Sequence, residues 1–482
     1  MRTYQDLLTA GENKIGFTYA AIQEYRSTRL YRMAKIAEEY DRHLNTTIYT
    51  YIKLLYTIEG NCVPDNYSAN FKIPSNFFNQ FVTQQSQFLL GKGITFKNAA
   101  TKKKLGKNFD IKVNMCGRSA LVGGVAYGFF NLDHIEVFKA TEFVPLYDEE
   151  DGALKAGIRF WQIAPEKPLR ATLYELDGYT EYIWNKSDSD NELRGEVLKE
   201  KRAYILKTKS SVIDGTIIYD GQNYPTFPIV PFFANEYKQS ELVGLQQTID
   251  AYDLINSGFA NDLDDASQIY WMLKNAGGMD DVDMARFIQQ IKTTHVFGLD
   301  DDVEAEAHTL EVPYAARDTI LTRLEKQLYK DYGALDPQYI ASGAVTATQI
   351  KAAYEPLNHK ADRWQVQADE FIQGILTVAG IEDEATYTRS MIINESESTQ
   401  MILSAAQYLD DETILKHLPF IGPDEIPDII NKQIEEEANR FESSDDEEPG
   451  EPDEPGEPDE SDEPDDNNPD EKNKKPPKNK EE

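Results

Sequence analysis

The chain has 482 residues and a formal charge of −35, from 84 acidic and 49 basic side chains. From Glu442 onward, 19 acidic and 5 basic residues contribute −14, which leaves −21 on the preceding 441 residues. A protein that grips phosphates tightly shows a basic excess, so this balance excludes a tight reader of nucleic acid and allows at most weak contact with one.

The first residues, MRTYQDLLTAGENK, carry charges where a secretion signal needs an apolar run. No stretch approaches the roughly 18 apolar residues that suggest a membrane span, so the expectation is a product that stays off membranes. Residues 19–58 read as helix, with Ile22, Leu30, Met33 and Ile36 at three- and four-residue steps. Pro64, Asp65 and Asn66 mark a loop. A second helix is expected from Ser75, as N-cap, to Leu90, with Gly91 at its end, followed by a strand at Ile94–Phe96. The two cysteines, Cys62 and Cys116, form neither a disulfide framework nor a metal-ligand spacing. Both read as buried apolar residues of a reducing compartment.

Between about residues 119 and 219 the pattern changes to short strands rich in aromatic and β-branched residues, such as FVPLY and IRFWQI. Asp151-Gly152 and Asp177-Gly178 lie between such segments, and glycine supplies the positive φ that a tight hairpin needs. This predicts an antiparallel meander within an α+β region. PTFPIVPFF (Pro225 to Phe233), with three prolines, reads as an extended connector.

Long helices follow. Leu242, Leu245, Ile249, Tyr252, Asn256, Phe259, Leu263 and Ala266 step by three and four residues, with Asn256 the one polar position, and end in an acidic patch at Asp262, Asp264 and Asp265. Residues 269–312 interrupt the pattern as a small α/β insertion with acidic clusters at Asp280, Asp281, Asp283 and at Asp300, Asp301, Asp302. Helical spacing returns through Ile320, Leu324 and Leu328 and stops near Asp336-Pro337. After the small-residue segment Gln338 to Ala347, Thr346 and Gln349 fit a capping box. The helix it opens runs along Ile350, Tyr354, Leu357, Ala361, Trp364, Ala368, Phe371 and Ile375, with Pro356 expected to kink it near Ala352. Shorter helices are expected over 381–440, then a tail that repeats EPGEPD twice from Glu448 and has nothing apolar to bury. Seams this narrow must pack against other helices. Those helices can belong to the same chain or to a neighbouring subunit, and spacing does not choose between them.

Chemistry is sparse. No GxxxxGK[ST] phosphate loop occurs, because Gly91-Lys92-Gly93 lacks the upstream glycine. The six histidines include no pair at ligand spacing, and the acidic clusters lack the alternation and glycine of a calcium loop. The expectation is no enzyme, no cofactor and no bound metal.

Collinear stretches carry a resemblance. NFKIPSNFFNQFVTQQSQFLLGKGITF (Asn70 to Phe96), FVPLYDEEDGALKAGIRFW, IVPFFANEYKQSELVGLQQTIDAYDLINSGFANDLDD, SGAVTATQIKAAYEPLNHKADRWQVQADEFIQGIL and NESESTQMILSA (Asn394 to Ala405) occur in this order. The chain thereby resembles the portal protein family of tailed bacteriophages, in its Gram-positive siphophage branch. The resemblance implies a mainly helical α+β portal fold with a wing (1–235), stem helices (236–268 and 313–336), a clip (269–312), a tunnel loop (337–347), a long kinked helix (348–380) and a crown (381–441) before the acidic tail.

It also implies a homo-dodecamer at one capsid vertex of the virion, assembled in the host cytoplasm. Double-stranded DNA would pass through it during packaging and ejection, and its partners would be the terminase large subunit, the major capsid and scaffolding proteins and a head–tail adaptor. On this reading Tyr339, Ser342, Gly343, Val345 and Thr346 face DNA, and Asp262, Asp264 and Asp265 contribute to the channel field. Leu242, Leu245, Ile249, Tyr252, Phe259, Leu263, Ile320, Leu324 and Leu328 pack the stem and its subunits, and Leu357, Trp364, Phe371 and Ile375 form the long-helix seam. Asp280, Asp281, Asp283, Asp300, Asp301 and Asp302 form the clip's partner surface. A capsid-associated adaptor or scaffold-type interaction protein is the alternative.

Overall fold

The computed structural model describes residues 1–56, 61–65, 70–186, 193–213, 216–266, 270–274, 304–308, 314–338, 347–391, 402–418 and 429–435, together with residues 282, 399, 421 and 426. Four helices stand near the N-terminus: α1 (Tyr4–Ala10), α2 (Lys14–Arg26), α3 (Arg29–Asp41) and α4 (Thr46–Thr50). The single helix expected over 19–58 is therefore broken twice, and capping explains the first break. Thr28 Oγ1 accepts from the N–H of Tyr31 at 3.2 Å, giving a new helix its first partner where the old one stops. At the second break, Asn45 is buried and its side chain donates to Ser75 O at 3.0 Å. Helix α5 (Phe77–Leu90) starts after Asn76, not Ser75, and Asn76 makes no side-chain cap bond.

Short strands β1 (Leu54–Tyr56) and β2 (Cys62–Pro64) pair antiparallel. This corrects the cysteine expectation: Cys62 is exposed, and only Cys116 is buried. Strand β3 (Ile94–Phe96) is followed by α6 (Ala99–Leu105) and α7 (Phe109–Gly123). Then come β4 (Val125–Asn131) and β5 (His134–Lys139).

The predicted meander forms a five-stranded antiparallel sheet in the order β10-β9-β8-β7-β6. Its strands are β6 (Phe143–Tyr147), β7 (Leu154–Trp161), β8 (Leu169–Glu175), β9 (Gly178–Lys186) and β10 (Leu193–Arg202). Both Asp-Gly pairs lie at its turns, with Gly152 at φ 69° and Gly178 at φ 136°. Helices α1 and α2 cover one face of it, where Leu7, Phe17, Ile22 and Tyr25 meet Val144, Ile158, Leu173 and Trp184. A hairpin, β11 (Ile205–Ile213) with β12 (Thr216–Gln222), follows.

The proline-rich connector is instead partly a strand, β13 (Ile229–Phe233), paired with β4 in the sheet β13-β4-β5. Pro231 is tolerated because β13 is an edge strand, where one N–H per pair of residues faces away from the ladder. Beyond it stand α8 (Gln246–Ala266), the paired strands β14 (Tyr270–Lys274) and β15 (Glu304–His308), α9 (Tyr314–Tyr332) and α10 (Ala347–Ala379). Strand β16 (Ala385–Tyr387) returns to pair with β3.

Helix α10 has 33 residues with Pro356 inside it, a length of about 50 Å. Its second half lies on the β13-β4 sheet. Phe371 stacks on Phe232 with ring centroids 4.7 Å apart, and Trp364 stacks on the same ring at 5.6 Å. The approach is close enough to demand glycine: a Cβ on Gly128 would stand 2.6 Å from the Phe371 ring. Residues 393–482 form a separate unit. Within it, α11 (Asp411–His417) is capped by Asp410, whose carboxylate accepts from Thr413 N at 3.2 Å.

Candidate functional site

Helix α8 and the turn before it divide the expected stem seam into two parts. Leu242, Leu245 and Ile249 are at most 4 % exposed and belong to the main core of this chain, as does Leu328 of α9. Their partners therefore lie within the same chain, as do those of Leu357, Trp364, Phe371 and Ile375 along α10. Further along α8, Tyr252 is half-buried and meets Phe77 edge-on at 5.0 Å. Phe259 lies under the Arg317 guanidinium at 5.9 Å. Leu263 is exposed, as is Ile320 of α9, and Leu324 is half-buried.

A polar stripe on α8, missed by reading apolar periodicity alone, organises this region. Residues 70–76 run along the helix, and every second N–H donates to a side chain one helical turn away. Phe71 N donates to Asn261 Oδ1 at 2.6 Å, Ile73 N to Ser257 Oγ at 2.9 Å and Ser75 N to Asp253 Oδ1 at 2.8 Å. The steps match: four helical residues advance about 6 Å and two extended residues about 6.6 Å. Asp253 is fully buried and also accepts from Asn45 Nδ2. Burial raises its carboxyl above the ordinary carboxylate value, against the lowering pull of the Asn45 and Ser75 donors. One turn earlier, Asp250 accepts from Tyr40 and, at 2.9 Å, from Thr47. Burial, then the Asp250 bond, pushes the Tyr40 phenol up to about 12. Asn256, the expected polar seam position, is only half-buried, and the buried polar groups are its neighbours Asp253 and Ser257.

Helices α9 and α10 are tied in by ions and amides. Lys360 Nζ lies 2.7 Å from Glu241 Oε2, donates to Tyr332 O at 3.0 Å and sits 3.3 Å from the Tyr332 ring centre. Burial lowers the Lys360 pKa while Glu241 pulls it up. Tyr332 Oη donates to Gln85 Oε1 at 2.6 Å. Gln84 both donates to Leu335 O and accepts from Leu335 N, each at 2.9 Å, holding the turn after α9 onto α5.

Among the channel candidates, Asp262 is paired with Arg317, so its charge is partly compensated. Asp264 is exposed near the end of α8, and Asp265 belongs to the same last turn. The expected tunnel-loop residues Tyr339, Ser342, Gly343, Val345 and Thr346 lie outside the described residues, as do Asp280, Asp281, Asp283, Asp300, Asp301 and Asp302 of the expected partner surface.

Next to the α8 ladder, large apolar side chains face solvent: Tyr49, Tyr51, Ile52, Phe71, Ile73 and Leu254 are 39–59 % exposed. A groove of about 250 Å3 lined by Ile48, Tyr51, Phe71, Leu254 and Asp262 runs through this patch. Among the described residues no three His, Cys, Asp or Glu side chains converge as a metal site requires, and no helix is long and apolar enough to cross a membrane.

Residues 24–448 match the family profile of the phage portal protein, SPP1 Gp6-like. The portal protein of Clostridium phage phiCD119 is 29% identical over 273 residues, 51% of this chain and 59% of that protein. The portal protein of Bacillus phage SPP1 is 24% identical over 422 residues, 80% of each chain. Solved chains of the virion and of the neck of a native gene transfer agent particle are 12% and 10% identical, with TM-scores of 0.42 and 0.41, and each covers 72% of this chain and 90% of its own. With most of its length matched by one profile, the chain belongs to the phage portal protein family, SPP1 Gp6-like.

Proposed function

We propose that twelve copies of this chain close into a ring at one capsid vertex, and that double-stranded DNA passes through the ring during packaging and ejection. The ring carries no catalysis of its own. A separate motor, the terminase large subunit, docks on it, as do the capsid and scaffolding proteins and a head–tail adaptor. Family membership supports the portal role, and the observation that carries ring closure is the exposed apolar patch around Phe71 and Leu254. Contiguous apolar surface of this kind marks an interaction site, and we assign it to the next copy in the ring.

Acidic character suits a conduit. Each lysine or arginine that pairs a phosphate adds binding free energy to be broken as the duplex slides, and −21 on the first 441 residues disfavours such pairing. In this reading Tyr339, Ser342, Gly343, Val345 and Thr346 are nearest DNA, while Asp262, Asp264 and Asp265 contribute to the channel field, with Arg317 offsetting Asp262 in part.

Negative-stain imaging and native mass of the purified chain test the ring. A closed particle with a hole of duplex width is expected, and a stable single copy would overturn the reading. Replacing Asp264 and Asp265 with lysine is expected to slow packaging most at low salt, where exposed charges are least screened. An unchanged rate at low and high salt rejects the charged bore while leaving the ring intact.

A further inference from the structure

Residues 91–112 invert the charge of the molecule. This stretch holds seven lysines and one acidic residue, a net of +6 in a chain of −35, so everything outside it carries −41. Two of the lysines are engaged: Lys97 pairs with Glu384 at 2.5 Å, and Lys102 with Asp110 at 2.6 Å. The other five, Lys92, Lys103, Lys104, Lys107 and Lys112, make no ion pair among the described residues, and all but the half-buried Lys112 are exposed.

The segment is held in shape. Asp383 accepts from the backbone N–H groups of Lys97 and Asn98, each at 3.2 Å, and from Thr101 Oγ1 at 2.6 Å. Asp110 accepts from Ile94 N at 3.1 Å. Asp383 and Asp110 are thus occupied in fixing the backbone and Lys102.

Lys92 lines a groove of about 410 Å3 together with Gln87, Leu90, Gly91 and Gly93 on one side and Asp110, Ile111, Asn114 and Met115 of α7 on the other. The Lys102–Asp110 pair ties α6, which also carries Lys103 and Lys104, to that second wall. Ile111 and Met115, one turn apart on α7, are 61% and 49% exposed, opposite the buried face of Phe109, Val113 and Cys116. Side chains four apart on a helix are neighbours, so these two form one apolar ridge along the groove.

We infer that this groove is a docking site for an acidic amphipathic helix of a partner protein, with its apolar side chains on Ile111 and Met115 and its carboxylates on Lys92, Lys103, Lys104 and Lys107. Charge complementarity selects the sign of the partner. The apolar ridge selects a protein segment over a phosphate backbone, which has no apolar face to bury there. No arginine fork or aromatic ring within residues 91–112 and 115 is free to read a base, Phe96 and Phe109 being half-buried and buried. The inference does not depend on ring closure, because it concerns a surface away from the Phe71–Leu254 patch in sequence and in lining residues.

The test uses the full-length protein and three fluorescent probes: a designed helix with aspartate and glutamate on one face and leucine on the other, a peptide of residues 442–482, which is acidic without apolar side chains, and a short DNA duplex. The designed helix is expected to bind about tenfold or more tighter than either other probe. The triple variant K103E/K104E/K107E should abolish that binding, and Met115→Glu should weaken it about tenfold, with native mass unchanged in both. Equal binding of the tail peptide and the designed helix would reduce the site to bare charge and overturn the proposal. Stronger binding of the duplex would do the same and reassign the lysines to nucleic acid. A change of oligomeric state in either variant would make the groove a contact between copies, again against the proposal.

Discussion

Asp253 shows how one side chain can carry several loads. It is buried, it accepts from Asn45 and from the N–H of Ser75, and no cation stands among the groups that shift it. Removing its oxygens in Asp253→Ala leaves the half-buried Ser75 N–H without its acceptor and the buried Asn45 amide with only Ser75 O, and a loss of about 2–3 kcal/mol is expected, read as a lower Tm. The pH dependence follows from its raised carboxyl. As pH falls, the native state takes up this proton before the unfolded chain does, so its stabilising share is complete below the unfolded value and is lost as pH rises through the raised one. The Tm difference between wild type and Asp253→Asn should therefore shift in favour of wild type between neutral and mildly acidic pH. A pH-independent difference would contradict the assignment. Lys360 poses the opposite case, a cation held against Glu241 in a largely buried site. Lys360→Met is expected to cost about 3 kcal/mol because it strands the carboxylate, and adding Glu241→Gln should restore part of that loss.

At the scale of elements, what the sequence revealed depended on which signal each element uses. The hairpins at Gly152 and Gly178 were legible because their turns need residues with positive φ and the chain supplies Asp-Gly there. The length of α10 was legible because its buried side recurs at helical spacing over 33 residues. The breaks between α2, α3 and α4 were overlooked, although Thr28 is a strong capping residue, because the apolar period continues across them. Strand β13 was hidden by its prolines, which an edge position tolerates. The polar stripe on α8 had a signal of its own, since Asp250, Asp253, Ser257 and Asn261 step by three, four and four; a search for apolar seams passes over it. The docking of α10 onto β4 makes a sharp prediction. Gly128→Ala places a methyl group against the Phe371 ring, and overpacking of about 1–3 kcal/mol is expected, visible as a reduced Tm with an otherwise folded protein.

For the whole molecule, family membership was readable from collinear segments, whereas the surfaces that copies and partners use were not. Periodicity assigned Leu242, Leu245 and Ile249 to the same seam as Leu263, but burial separates them into an internal core and an exposed end. Only a folded chain shows which apolar residues are still uncovered. If the patch around Phe71 and Leu254 receives the next copy, Leu254→Glu should shift the balance between ring and single copy by about tenfold or more in protein concentration. Mass photometry over a dilution series would measure it, and assembly identical to wild type would remove the patch from the interface.

The ladder between residues 70–76 and α8 also limits how this gene region can change in length. Slipping the segment by one residue would bring the intervening positions, 72 and 74, against the helix, and position 74 is proline, which has no N–H to offer. Single-residue insertions or deletions just before Pro74 are therefore expected to be selected against, while the exposed Asp-Gly turn at 151–152 can absorb them.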